Sequence, residues 1–348
     1  MNHNRQLDEL LARVKKKAEE AEEEKDLASV FSLLRNFRQT VGPIKYDNRV
    51  KWCVFAALGA LSCGFSLLFL LDPAFQHELG DLGYWIMGGS ALALIVTLVI
   101  IGLADSDIDA ISDLIFEKDV RFDNQLDEID IDGREKELYR QNKKAFGDFR
   151  DRGDEDRYIQ RLIKSAWGGK DHSFPFEYYV FHYVRVYYVT VTHTDGKKTW
   201  TTVERRTETL YRYGLILDFP FVKGFAAHSG GGSFDYPESF QPTSKEFNDI
   251  FAVGAVSAQV AAKFLKPAVV LAFLEQTANV SDLNVEINED GQMNIAFSDS
   301  DVLDLDRKFS IAQPDEFERE IMSQLDLPKL RRLLEFVETL KRHNDSNF

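Results

Sequence analysis

Two stretches decide how this chain is built: WCVFAALGALSCGFSLLFLL, from Trp52 to Leu71, and LGYWIMGGSALALIVTLVIIGLA, from Leu82 to Ala104. Neither holds a charged residue. An α-helix rises 1.5 Å per residue, so about 20 apolar residues cross the ~30 Å hydrocarbon layer of a bilayer. Both stretches are long enough. A pair of soluble core helices would carry polar residues on one face. Between the stretches, Pro73 and Gly80 break the helix. The expected architecture is therefore a transmembrane helical hairpin with spans 52–71 and 82–104.

Basic residues beside the spans set the orientation. Arg35, Arg38, Lys45, Arg49 and Lys51 precede the first span, and Lys118 and Arg121 follow the second. The short loop holds Asp72, Glu78 and Asp81 but no Lys or Arg. Both termini are expected in the cytoplasm. Residues 1–30 are highly charged and lack an apolar run, so no cleavable signal peptide is expected. Small residues four apart let helices approach closely, which makes Ala56, Ala60 and Gly64 a packing stripe with Gly89 and Ala93 as its partner. Packing within the hairpin is the first reading of that stripe, and contact between protomers the second.

The rest of the composition narrows the classes. The chain has 348 residues and a net charge of −15, which argues against a general nucleic-acid binder. Its two cysteines, Cys53 and Cys63, lie in the first span, so neither a disulfide scaffold nor a Cys/His zinc site is expected.

Residues 1–51 read as a charged helical region. Leu7, Leu11, Val14, Ala18 and Ala21 keep a 3–4 spacing that suits a self-associating coil or a docking stripe. Leu27, Val30, Phe31, Leu34 and Phe37 continue at helical spacing until Gly42-Pro43, and with Arg35 and Arg38 nearby this face suits the inner leaflet. Residues 105–170 read as an acidic helical linker. Within it, Glu128 to Gly133 imitates the start of a calcium loop, but the twelfth position is Tyr139 instead of the bidentate glutamate. No metal site is expected.

Residues 171–348 read as a cytoplasmic α+β domain with an antiparallel sheet and helices. Tyr178 to Val189 is dense in aromatic and β-branched residues, and Thr194-Asp195-Gly196 turns it into a hairpin. Both faces of that hairpin are apolar. They are expected to lie under the helices at Ser257–Gln276 and Pro328–His343, or else under another chain, with Tyr183 and Tyr187 as candidate interaction residues. Thr243 is the expected cap of a helix carrying Phe247 and Phe251. Leu283–Ile287 and Gln292–Phe297 flank a turn at Asn288 to Gly291. Gly168-Gly169-Lys170 lacks the rest of a phosphate loop, and Gly230-Gly231-Gly232-Ser233 reads as a turn before it reads as an anion cradle. Seven histidines show no metal spacing, no catalytic residues assemble, and no cofactor is expected.

The order of features carries a resemblance. A two-helix anchor precedes Phe221-Val222-Lys223-Gly224-Phe225, then Phe247-Asn248-Asp249-Ile250-Phe251-Ala252-Val253, Ala261-Ala262-Lys263-Phe264-Leu265-Lys266-Pro267 and Met293-Asn294-Ile295-Ala296-Phe297. Over roughly residues 45–340 this resembles the bacterial membrane-protein family catalogued as domain of unknown function 3137. The departure is Val256-Ser257-Ala258, where an acidic residue often follows. The resemblance implies a two-pass protein of the bacterial inner membrane and a LemA-type coiled-coil membrane protein as partner. The functional expectation is an oligomeric scaffold or protein-interaction protein in contact with membrane lipids. The alternative is a membrane-tethered enzyme or small-ligand-binding domain with an unrecognised site near Gly230–Ser233.

Overall fold

A computed structural model describes residues 3–196 and 198–345 and divides into two compact units. The first comprises residues up to Asp123 together with Asp306–Leu325; the second comprises Asn124–Leu305 and the chain from Asp326 onward.

The first unit is helical. His3–Glu20 and Glu24–Thr40 form two helices, Arg49–Leu71 and Asp81–Gly102 the two long apolar ones, and Ser106–Asp123 and Pro314–Ile321 two more. The apolar pair are long enough to cross a membrane and are almost wholly exposed. Asp81–Gly102 runs on through one 3-10 turn into Ser106–Asp123, which buries Ile108, Ile111 and Ile115. The loop between the apolar helices holds a further short helix, Pro73–Leu79, capped by Asp72.

Packing inside the hairpin differs from the expectation. Ala56, Ala60, Gly64, Gly89 and Ala93 all point away from the partner helix and are exposed. The seam is built instead from residues such as Phe55, Ser62 and Phe69 against Gly83, Ser90 and Ile101. Ser62 and Ser90 share a hydrogen bond of 2.8 Å, and a Cβ on Gly83 would lie only 2.0 Å from the Phe69 ring. The two hydroxyls satisfy each other across the seam.

The N-terminal stripe is also spoken for. Leu7, Leu11, Val14 and Ala18 are buried against the helices Glu24–Thr40 and Ser106–Asp123, so they do not form a seam for a second chain. Leu27, Val30, Phe31 and Leu34 are fully buried and face other helices, not a leaflet; Phe31 meets Phe317 edge-on at 5.9 Å. Arg35 pairs with Glu318 and Arg38 with Asp315. The charged N-terminal region is not one helix but two, His3–Glu20 and Glu24–Thr40. It breaks near Ala21, because the Asp26 carboxylate accepts the Glu22 and Glu23 amides and starts a new helix there.

The second unit is a nine-stranded antiparallel sheet with helices. The strands are β1 (Asp127–Glu128), β2 (Glu155–Gly168), β3 (Ser173–Asp195), β4 (Lys198–Asp218), β5 (Phe225–His228), β6 (Glu238–Ser239), β7 (Ala252–Ala255), β8 (Asn284–Ile287) and β9 (Gln292–Phe297). They lie in the order β1-β2-β3-β4-β9-β8-β5-β7-β6. The expected linker 105–170 is therefore divided: its first part is a helix of the first unit, and from Asn124 onward it supplies β1, the helix Glu135–Ala145 and β2 to the sheet. Charge made that segment look solvated. Ile131, Tyr139, Phe146, Phe149, Ile159 and Leu162 nonetheless join one core cluster with Tyr179, Phe181 and Tyr183.

The opposite face of the sheet packs on helices Ala258–Phe264, Pro267–Gln276 and Pro328–Asn344. Phe225 and Phe264 lie 4.4 Å apart, and Phe273 meets Phe336 edge-on at 5.1 Å. The helix expected over 257–276 is interrupted at Pro267, as that proline implies, and Ser257 caps the first half. Ser244, not Thr243, caps the helix Lys245–Ile250, since its hydroxyl is the one that accepts the Phe247 amide. The β8–β9 hairpin and the last helix form where expected.

Candidate functional site

Two features of the second unit stand out: a buried ionic network on one face of the sheet and a ribbon that projects beyond it.

Side chains on alternate positions of a strand share a face. Register then brings Arg212 of β4, Asn294 of β9, Asn284 and Glu286 of β8 and His228 of β5 to one face. The segment Gly147–Phe149 and the loop Gly230–Ser233 lie over them. Asp148 sits at the centre. Its Oδ1 accepts hydrogen bonds from Asn284 Nδ2 at 2.6 Å, Arg152 Nη2 at 2.8 Å and Arg212 Nη2 at 3.3 Å, and its Oδ2 accepts from Arg212 Nε at 3.1 Å. Glu286 accepts the Gly147 and Asp148 amides at 2.6 and 2.7 Å, and His228 Nε2 lies 3.1 Å from it. Arg212, although fully buried, has further partners in the Ser298 hydroxyl and the Asp282 carbonyl. Burial acts to raise the Asp148 pKa, but the Arg212 and Arg152 guanidiniums outweigh it and hold this carboxyl well below the usual carboxylate range.

The loop Gly230–Ser233 is the place where the sequence left an anion cradle open. Here its polar groups are turned inward. The Gly230 amide donates to Asn284 Oδ1 at 3.0 Å, and the Ser233 amide donates to Asp151. The Gly230 and Gly231 carbonyls accept from Arg152 and Asn284. A Cβ on Gly230 would meet Asp282 at 2.5 Å, so the loop needs glycine in order to lie this close. The arrangement has no nucleophile with an adjacent base; it is an ion-paired core whose donors and acceptors face each other. Its signal in the sequence was the pair Asn284 and Glu286, alternating along a strand that is buried at all four positions. The charged partners Asp148, Arg152 and Arg212 come from distant segments and gave no pattern.

The ribbon is the outer half of the β3–β4 hairpin. β2 pairs with β3 only as far as Val184, and β9 pairs with β4 only over Tyr213–Asp218. From Tyr187 to Asp195 on β3 and from Lys198 to Arg206 on β4, the two strands pair with each other alone among the described residues. Eight steps of about 3.3 Å make this arm roughly 27 Å long. Tyr188 and Val203 are 68% and 69% exposed, and Tyr187 and Trp200 are also exposed. Trp200 stacks on His193 at 5.5 Å.

The expectation that the domain's own helices cover the whole hairpin therefore holds at its root and fails along its arm. Tyr183 is buried in the core cluster and is no interaction residue, whereas Tyr187 is exposed. The reason is reach. The 23 residues of β3 extend about 75 Å, while the 10- and 17-residue helices meant to cover it span only about 15 and 25 Å.

No family model, curated protein or solved structure matches the chain in comparisons with known proteins.

Proposed function

We propose that this is a membrane-anchored protein-interaction protein that uses the β3–β4 ribbon as its docking arm and assembles as a homo-oligomer. The observation that carries this reading is the bare arm. Isolated two-stranded ribbons are marginal in water, and this one exposes Tyr187, Tyr188, Trp200 and Val203 with both backbone edges unpaired among the described residues. Such an edge can pair with a strand from another chain, and aromatic side chains supply most of the energy in protein contacts.

Membrane insertion belongs to the same proposal. It is supported by two helices of sufficient length whose apolar surface is exposed, and by a connecting segment free of Lys and Arg. The resemblance to the domain of unknown function 3137 family supports a bacterial inner-membrane setting with both termini in the cytoplasm, and makes a LemA-type coiled-coil membrane protein the partner to try first.

The test is light scattering of the detergent-solubilised full chain, with Tyr188→Asp/Val203→Asp as the variant. Both side chains are largely exposed, so the variant should keep the wild-type circular dichroism while losing its assembly or its co-purifying partner. A wild-type chain that is monomeric and alone at every dilution would overturn the reading.

A ligand-binding role is the second reading, favoured by one observation. His228 Nδ1 is buried beneath Gly232 without a hydrogen-bond partner.

A further inference from the structure

Within the helical unit, Glu24, Asp119 and Asp123 come together although Glu24 lies far from the others in the chain. One carboxylate oxygen from each lies within 4.8 Å of the other two. Glu24 stands in the first turn of helix Glu24–Thr40, and the two aspartates are one helical turn apart at the end of helix Ser106–Asp123. Asp123 also accepts the Leu325 amide at 2.6 Å. Three acids at a surface would mean little. Asp119, however, is 0% exposed, and neither of its carboxylate oxygens has a hydrogen-bond partner.

A buried carboxylate normally has its lone pairs filled, because an unsatisfied buried acceptor costs about 1–3 kcal/mol and a charged one more. The nearest basic side chain on the same helix does not serve it. Lys118 Nζ is directed to the Glu19 and Ala21 carbonyls at 2.5 and 3.0 Å. Among the described residues, the Asp119 carboxylate is the member of the cluster left without a donor.

We infer that Glu24, Asp119 and Asp123 form a site for one hard divalent cation that ties the start of helix Glu24–Thr40 to the end of helix Ser106–Asp123. An all-oxygen, all-carboxylate set suits Ca2+, Mg2+ or Mn2+ and disfavours soft metals. Ca2+ accepts flexible coordination by carboxylates at 2.3–2.6 Å, whereas Mg2+ demands near-ideal octahedral geometry at 2.0–2.1 Å, so carboxylates drawn from two helices suit Ca2+ better. Sequence spacing gave no warning of it, since the ligands belong to two helices that only the tertiary packing joins.

Equilibrium dialysis of the EDTA-treated full chain in detergent against Ca2+ and, separately, Mn2+ tests this. One ion per chain is expected, with Mg2+ a weaker competitor. Asp119→Asn and Glu24→Gln should each weaken binding at least tenfold, while Glu137→Gln, an exposed acid of the other unit, should leave it unchanged. Glu24 is exposed, so Glu24→Gln should fold even if Asp119→Asn does not. Absence of saturable binding for all three cations, or undiminished affinity in Glu24→Gln, would overturn the site.

Discussion

At the scale of single residues, the second unit depends on a few polar side chains placed where only apolar ones are usual. Asp148 and Arg212 are both fully buried and held by each other. Removing one partner leaves the other charge stranded, so Arg212→Met should lower stability by about 3–5 kcal/mol in urea unfolding. Replacing both partners together should cost less than the sum of the two single changes. The pH dependence has a definite sign. The unfolded aspartate has a pKa of about 3.9, and folding depresses it, so this stabilisation is present above pH 4 and is lost as the pH falls below it. Unfolding titrations from pH 7 to pH 3 should show that loss, and Asp148→Asn should flatten it. Gly214 is a second such point. A Cβ there would lie 2.5 Å from Tyr179 Oη and 2.6 Å from the Ile295 carbonyl, so Gly214→Ala should destabilise by about 1–3 kcal/mol.

At the scale of elements, the apolar hairpin and the ribbon show the same lesson from opposite sides. A stripe of small residues does not by itself say which side of a helix meets a neighbour. Ala56, Ala60 and Gly64 face outward, and the contact runs through Ser62, Ser90 and Gly83. In a chain freed of Cys53 and Cys63, cysteines placed at Ser62 and Ser90 should cross-link readily. Gly83→Leu should reduce that yield several-fold by driving a side chain into Phe69, and Gly64→Leu should not, since nothing lies within 4 Å of a Cβ there. The ribbon's apolar faces, in turn, did not imply that this chain covers them. Strands advance more than twice as far per residue as helices, so a long hairpin outruns the helices beside it.

At the scale of the whole molecule, the two units are interleaved in sequence, since Asp306–Leu325 belongs with the N-terminal helices. That return explains why Arg35 and Arg38 are paired with Glu318 and Asp315 instead of standing free as flanking charges. Lys45, Arg49 and Lys51 still flank the first apolar helix, and the connecting segment has no Lys or Arg. Cysteine labelling in intact cells should therefore modify Gln76→Cys from outside and spare Arg331→Cys, an exposed position on the last helix. A reporter at Asn347 would serve the same end but lies outside the described residues. Labelling of Arg331→Cys from outside would reverse the topology.

Local signals along the chain determine the two apolar helices, the antiparallel hairpins, the last helix and the break at Pro267. Each follows from periodicity, length or a breaker within one segment. The sites did not follow in that way. Asp148 meets Arg212, Glu286 meets the Gly147 amide and Glu24 meets Asp119 only after distant segments pack. The acidic stretch after residue 105 looked solvated because its charges are dense, yet its sparse apolar residues are what the sheet and the helical unit bury. Hydrophobic periodicity reports which residues leave water, and chain connectivity in three dimensions decides which residues they then meet. For the two polar clusters and the bare arm, only the tertiary structure held that information.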